Sequence, residues 1–161
     1  MTPTRTPAEF YTPQDYGTEE SVGYLMRRLV TVIRQGVDRR LEAVGLTDAQ
    51  WVPLLKLQLA GAMPVAELAR GCEVDAGAMT RMLDRLEAKG LLRRVRSTTD
   101  RRVVTIELTA DGAQAAARIP AILCEVQNGL LTDVSREEWR ALLATLRKML
   151  DNAQPRQDAA P

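Results

Sequence analysis

The run Ser97-Thr-Thr-Asp-Arg-Arg102 sets three hydroxyl-bearing residues, an acid and two arginines directly before an alternating apolar segment, Val103–Leu108. A charged knot at a hairpin tip is either ordinary surface or a probe for something anionic. The distribution of charge favours the probe. The net charge of the 161 residues is only +1, and the segments 1–80 and 103–161 each carry −2. Between Arg81 and Arg102, eight basic residues stand against three acidic ones, which concentrates +5 in one short stretch. A positive patch on a slightly acidic body is the electrostatic footprint of a phosphate-binding surface, whereas a merely solvated helix face needs no such concentration. Other chemistries lose ground on composition. There is no histidine, which removes most general-base and triad arrangements, and the two cysteines, Cys72 and Cys124, fit no common zinc pattern. Neither a glycine-rich phosphate loop nor a nucleophile elbow is present, so the expectation is a non-enzyme without metal or cofactor.

The elements that must carry this patch follow from periodicity. A Pro/Thr-rich segment, 1–17, reads as a flexible, extended arm. Val22, Leu25, Met26, Leu29, Val32, Ile33 and Val37 then recur at helical spacing, predicting a helix from about Thr18 to Gly45. Thr47-Asp-Ala-Gln50 is a capping box that opens a second helix to about Ala60, in which Pro53 predicts a kink or an irregular start. Gly61-Ala-Met-Pro64 reads as a turn, with Pro64 beginning a short third helix to Gly71. Asp75 is a good N-cap for a fourth helix that Gly90 ends, with Met79, Leu83 and Leu86 as its apolar stripe. The period then changes to two. Leu91–Arg96 and Arg102–Leu108 read as a two-stranded hairpin. Thr109 caps a long helix, about 110–131, with Pro120 as an expected kink. Ser135-Arg-Glu-Glu138 is a second capping box, and the last helix carries Trp139, Leu142, Leu143, Leu146, Met149 and Leu150 on one side. Residues 153–161 read as a disordered tail. No apolar run is long enough to span a bilayer and no secretory signal is evident, so a cytoplasmic protein without membrane contact is expected.

Helix, short helix, turn, amphipathic helix and hairpin is the order of a winged helix-turn-helix. The expected fold class is therefore mainly α with a small β-hairpin wing, joined to a helical dimerisation region. A recognition helix must let its backbone approach the major groove before longer side chains reach out. Asp75, Ala76, Gly77 and Ala78 supply small residues first, and Thr80 and Arg81 follow. Arg85, Arg94 and Arg96 read as phosphate-facing, and an ion pair between Asp84 and Arg81 is expected to orient the latter. An arginine-tipped wing would lie against a flanking minor groove.

The segment from Leu68 to Arg93, with Ala78-Met-Thr-Arg-Met-Leu-Asp-Arg-Leu-Glu-Ala-Lys-Gly-Leu-Leu at its centre, resembles the MarR family of bacterial transcriptional regulators. Thr99-Asp-Arg-Arg102, the exit Leu108-Thr-Ala-Asp-Gly112 and the entry Gly45-Leu-Thr-Asp-Ala-Gln-Trp51 resemble the same family, and the likeness covers roughly residues 20–152. It implies an obligate homodimer on a pseudo-palindromic double-stranded DNA operator. Residues 46–109 would form the DNA-binding lobe, while 18–45 and 110–152 would form the dimerisation region. The large apolar stripes of the terminal helices point the same way. The resemblance also implies that Asp100 holds Arg102 in the minor groove, leaving Arg101 for a phosphate. The implied protein is bacterial and nucleoid-associated when DNA-bound.

The resemblance further implies release from DNA by a small aromatic or phenolic effector. Tyr24, Arg27 and Trp51 are candidate lining residues, although packing explains each as well. Redox control through Cys72, whose thiol nearby arginines could acidify, is the alternative regulation, and Cys124 is expected to be buried and inert. A winged-helix protein-interaction module without DNA binding is the other alternative, and the concentrated charge counts against it.

Overall fold

The computed structural model describes residues 7–96 and 103–153. Asp100, Arg101 and Arg102 therefore lie outside the described residues, as do residues 1–6, 97–99 and 154–161. The chain divides into two compact units, Met1–Leu123 and Cys124–Pro161.

The first unit begins with α1 (Val22–Leu41), which a 3₁₀ turn prolongs over Glu42–Val44 until Gly45 stops it at φ +69°. The segment before α1 is not simply extended. It turns at Thr12–Asp15, and the Tyr11 hydroxyl accepts the Val22 N–H at 3.1 Å while Tyr16 and Ser21 share a hydrogen bond of 2.7 Å. Ser21 is the N-cap and is buried, so two tyrosines of the arm reinforce the start of α1. Composition gave no sign of this, because proline and threonine content says nothing about such pairing.

α2 (Asp48–Ala60) starts at the expected capping box, with Gln50 Oε1 accepting the Thr47 N–H at 3.2 Å. The helix runs through Pro53, which is buried in it, and α5 likewise runs through Pro120. α3 (Val65–Gly71) and α4 (Ala76–Ala88) flank a turn in which Glu73 takes a positive φ of 54°. The expected turn at Gly61–Pro64 is in part a strand. β1 (Met63–Pro64) pairs antiparallel with β3 (Val104–Leu108), which also pairs with β2 (Leu92–Arg96), in the order β1-β3-β2. The sheet has three strands rather than two. Pro64 is its N-cap to α3 as well as an edge residue, a position where a missing N–H costs no ladder bond. Met79, Leu83 and Leu86 of α4, with Leu54, Leu68, Leu92 and Ile106, are fully buried and form the core that seats α4 on the sheet.

α5 (Ala110–Leu130) starts in the first unit and ends in the second, which continues with α6 (Arg136–Ala153). The second capping box is present in both directions: Glu138 accepts the Ser135 N–H at 2.8 Å, and Ser135 Oγ accepts the Glu138 N–H at 3.2 Å. No residue of α6 is buried, and its apolar side stays open, with Leu142 48% exposed and Leu150 65%. On α1, Val22, Leu25, Leu29 and Val32 are similarly exposed.

Candidate nucleic-acid interface

α4 presents its polar side to solvent because its apolar stripe is buried, and Asp75 fixes where it starts by accepting the Ala78 N–H at 2.8 Å. Ala76 and Gly77 are exposed and Ala78 half-buried, so the first turn is nearly bare backbone. The Thr80 hydroxyl donates back to the Ala76 carbonyl at 2.8 Å. Arg81 and Arg85 are exposed on the same helix.

The cations of the +5 segment divide into engaged and free. The Lys89 ammonium donates to the Gly45 carbonyl at 2.7 Å and to Gln50 Oε1 at 2.9 Å, fastening the end of α4 to the start of α2. Arg93 reaches Glu107 directly across the β2–β3 ladder at 2.9 Å. Arg94 lies between Asp84, at 2.7 Å, and Glu87, which it also hydrogen-bonds. Burial works to lower the Arg94 pKa, but the hydrogen bonds and charges of Asp84 and Glu87 outweigh it and leave the guanidinium firmly charged. Two expectations change here. Asp84 pairs with Arg94 of β2 and not with Arg81. Arg94 is held against α4 by two carboxylates instead of facing outward to a phosphate. The reason is strand alternation: Leu92 is buried, so Arg94, two residues on, points to the same side, toward α4. Glu87, which helical reading left without a role, is the second half of that clamp. Arg81, Arg85 and Arg96 make no ion pair or side-chain hydrogen bond among the described residues.

The root of the hairpin is fastened to α5 by the Leu-Thr-Ala-Asp-Gly exit. Thr109 N donates to the Leu91 carbonyl at 3.1 Å, its hydroxyl donates to the Gly90 carbonyl at 2.6 Å and accepts the Gly112 N–H at 3.0 Å. Gly112 is required by this joint. A Cβ there would stand 1.7 Å from the Leu91 carbonyl oxygen.

The candidate effector residues are not gathered at one place. Arg27 stacks over the Tyr24 ring, 5.4 Å from its centroid. Trp51 donates its indole N–H to Asp48 at 3.2 Å, and Asp48 in turn accepts Arg34 at 2.9 Å. A recess of about 300 Å³ between α1 and α2 is lined by Arg34, Gln35, Asp38, Thr47, Asp48 and Ala49. Cys72 is half-buried, and burial raises its pKa while Lys56 opposes the rise, so the thiol is not acidified as the neighbouring arginines suggested. Cys124, expected to be buried, is exposed on α5. Its apolar neighbours in sequence gave the wrong side of the helix. Among the described residues no cluster could hold a metal ion, and no helix is long and apolar enough to cross a membrane.

The MarR family model matches residues 46–104. The chain is similar in structure to a MarR-family transcriptional regulator from Silicibacter pomeroyi, at 26% identity and a TM-score of 0.74 over 91% of this chain and 99% of that one. It is similar to Staphylococcus aureus MepR in its DNA complex, at 28% identity and 0.76 over 83% and 99%. It is also similar to Bordetella bronchiseptica BpsR, whose DNA binding is regulated by 6-hydroxynicotinic acid, at 27% identity and 0.76 over 84% and 97%. The winged lobe of this chain thus matches the MarR family, and most of its length shares the fold of MarR-family transcriptional regulators.

Proposed function

We propose that the protein is a dimeric, sequence-specific repressor that leaves a pseudo-palindromic operator when a small aromatic or phenolic ligand binds. The observation that carries this reading is the exposed side of α4. Its first turn is almost free of side chains, and beyond it Arg81 and Arg85 are exposed and make no ion pair or side-chain hydrogen bond among the described residues. Asp75, Ala76, Gly77, Ala78, Thr80 and Arg81 approach the major groove, and Arg85 and Arg96 meet phosphates. Arg94 contributes by holding β2 on α4. Arg102, held by Asp100, enters the minor groove and Arg101 takes a phosphate, as the family resemblance implies. The open apolar sides of α1 and of α6 are what a second copy would cover, since a monomer rarely leaves surfaces of this size bare.

The effector would occupy the recess between α1 and α2, to whose lining Trp51 is joined through Asp48, while Tyr24 and Arg27, paired with each other nearer the start of α1, are not among the residues lining it. BpsR supports a small aromatic acid as the chemical class. Redox control through Cys72 is the weaker reading, because burial raises that thiol's pKa.

Mobility shift of the protein on its own upstream DNA, across a series of salt concentrations, tests the proposal. Binding should fall steeply with salt, with a log–log slope of about −0.9 for each phosphate neutralised. Absence of any shift, or a shift indifferent to salt, would refute it.

A further inference from the structure

We propose that a recess at the root of the hairpin is a second small-molecule site, and that it takes a dipolar ligand with a carboxylate at one end and an ammonium at the other. It shares no lining residue with the recess between α1 and α2, and it does not depend on the DNA-binding reading.

The recess, of about 490 Å³, lies within the first unit and is lined by Val44, Leu91, Asp111, Gln114, Ala115 and Arg118. Four of these belong to α5, and their spacings of three, four and seven residues put them on one side of that helix. Val44 ends the 3₁₀ turn beside Gly45, and Leu91 supplies the carbonyl that Thr109 N reaches at the joint. An occupant would therefore bridge the end of the 3₁₀ turn, the hairpin root and α5.

Charge marks the two ends of the site. Asp111 and Arg118 are exposed, and neither makes an ion pair or side-chain hydrogen bond among the described residues. Arg34, Arg93 and Arg94 of the same unit, by contrast, each find a carboxylate. Seven residues of helix hold the backbones of Asp111 and Arg118 about 10.5 Å apart, so the two do not close on each other. The middle of the site is apolar, with Val44, Leu91 and Ala115 half-buried.

This arrangement selects the chemical class. A guanidinium takes a carboxylate through paired N–H donors, and a carboxylate takes an ammonium. A simple anion would satisfy Arg118 and be repelled by Asp111, and a simple cation would meet the reverse. A molecule with both charges satisfies both ends, and a short hydrocarbon or aromatic spacer covers the apolar middle. Helical side chains lean toward the N-terminus, so Arg118 reaches back toward Asp111 and shortens the gap that the ligand must span.

NMR titration of the full-length protein with 4-(aminomethyl)benzoate tests the proposal, with benzoate and benzylamine as probes carrying one charge each. The dipolar probe should shift the amide resonances of Leu91, Gln114 and Ala115 and bind more tightly than either control by about 2- to 5-fold, the range of an exposed ion pair. Arg118→Gln should reduce its affinity to that of benzylamine, and Asp111→Asn to that of benzoate. Arg34→Gln, which alters the other recess, should leave it unchanged. Equal binding of benzoate and the dipolar probe to the wild type would make this a plain anion site and overturn the inference. Shifts confined to Arg34, Thr47 and Asp48 would overturn it too, by putting the probe between α1 and α2, as would the absence of any shift. The three-probe comparison on the wild type decides the matter even if a variant fails to fold, and none of its outcomes bears on DNA binding.

Discussion

Replacing Gly112 by alanine should test the joint between hairpin and α5 more sharply than any charge reversal. Helix propensity alone predicts a gain, because alanine is better than glycine by up to about 1 kcal/mol in a helix. The structure predicts the opposite sign. The new Cβ would stand 1.7 Å from the Leu91 oxygen, 2.7 Å from its carbonyl carbon and 3.3 Å from its Cα. Carbon and oxygen normally stay about 3.3 Å apart or more, so backbone must move by roughly 1.6 Å. No flexible side-chain end is available to yield, since all three atoms are backbone. Moving the Leu91 carbonyl breaks its bond from Thr109 N, and leaving such a group unpaired costs about 1–3 kcal/mol. Overpacking adds about 1–3 kcal/mol. Against the propensity gain, the net loss should be about 3 kcal/mol. At about 2–4 °C for each kcal/mol in a chain of this size, Tm should fall by roughly 6–12 °C. Thermal denaturation at one fixed protein concentration measures it, because a dimer's Tm depends on concentration. Gly129→Ala in the same helix is the control. Nothing lies within 4 Å of its Cβ position, so it should be neutral or slightly stabilising. If the two variants melt together, the close approach at Leu91 is not a constraint and the reasoning fails.

Two further outcomes follow from protonation. Backbone and side-chain hydrogen bonds involving Ser135 lower the Glu138 pKa, so its contribution to the first turn of α6 is present above the ordinary glutamate pKa and is lost as pH falls through the lowered one. An NMR titration should place the Glu138 midpoint below that of an unperturbed glutamate, and Ser135→Ala should return it toward the ordinary value. Burial raises the Cys72 thiol, so its alkylation in a Cys124→Ser background should have a midpoint above the ordinary cysteine pKa, and operator binding by the wild type should be as indifferent to peroxide as that of Cys72→Ser. A midpoint below the ordinary value would revive redox control.

Much of this architecture was legible because its signals are local. Asp75 and Thr47 as caps, Gly90 as a stop, the Ser135–Glu138 box and the buried stripe of α4 each depend on residues within one or two turns. What escaped depends on partners distant in the chain. β1 is only Met63–Pro64, too short to show a period, and exists because Ile106 and Thr105 lie beside it. The Asp84–Arg94 pair joins a helix to a strand ten residues on, where a reading by helical spacing favoured Arg81. A signal was available, since Arg94 shares a strand face with Leu92, but it required reading strand and helix together. Cys124 was misplaced because an apolar surrounding sequence does not say which side of a helix is covered.

The contact of Lys89 with Gly45 and Gln50 has a consequence for how such a lobe can diversify. One side chain spans from the end of the recognition helix to the residues just before and inside α2, so the two ends of the segment 46–88 meet in space. A segment whose ends meet can be exchanged as a cassette, because its replacement does not change the distance that the flanking chain must bridge. New DNA-reading surfaces could then be acquired by recombination at this latch, with the terminal helices left as they are.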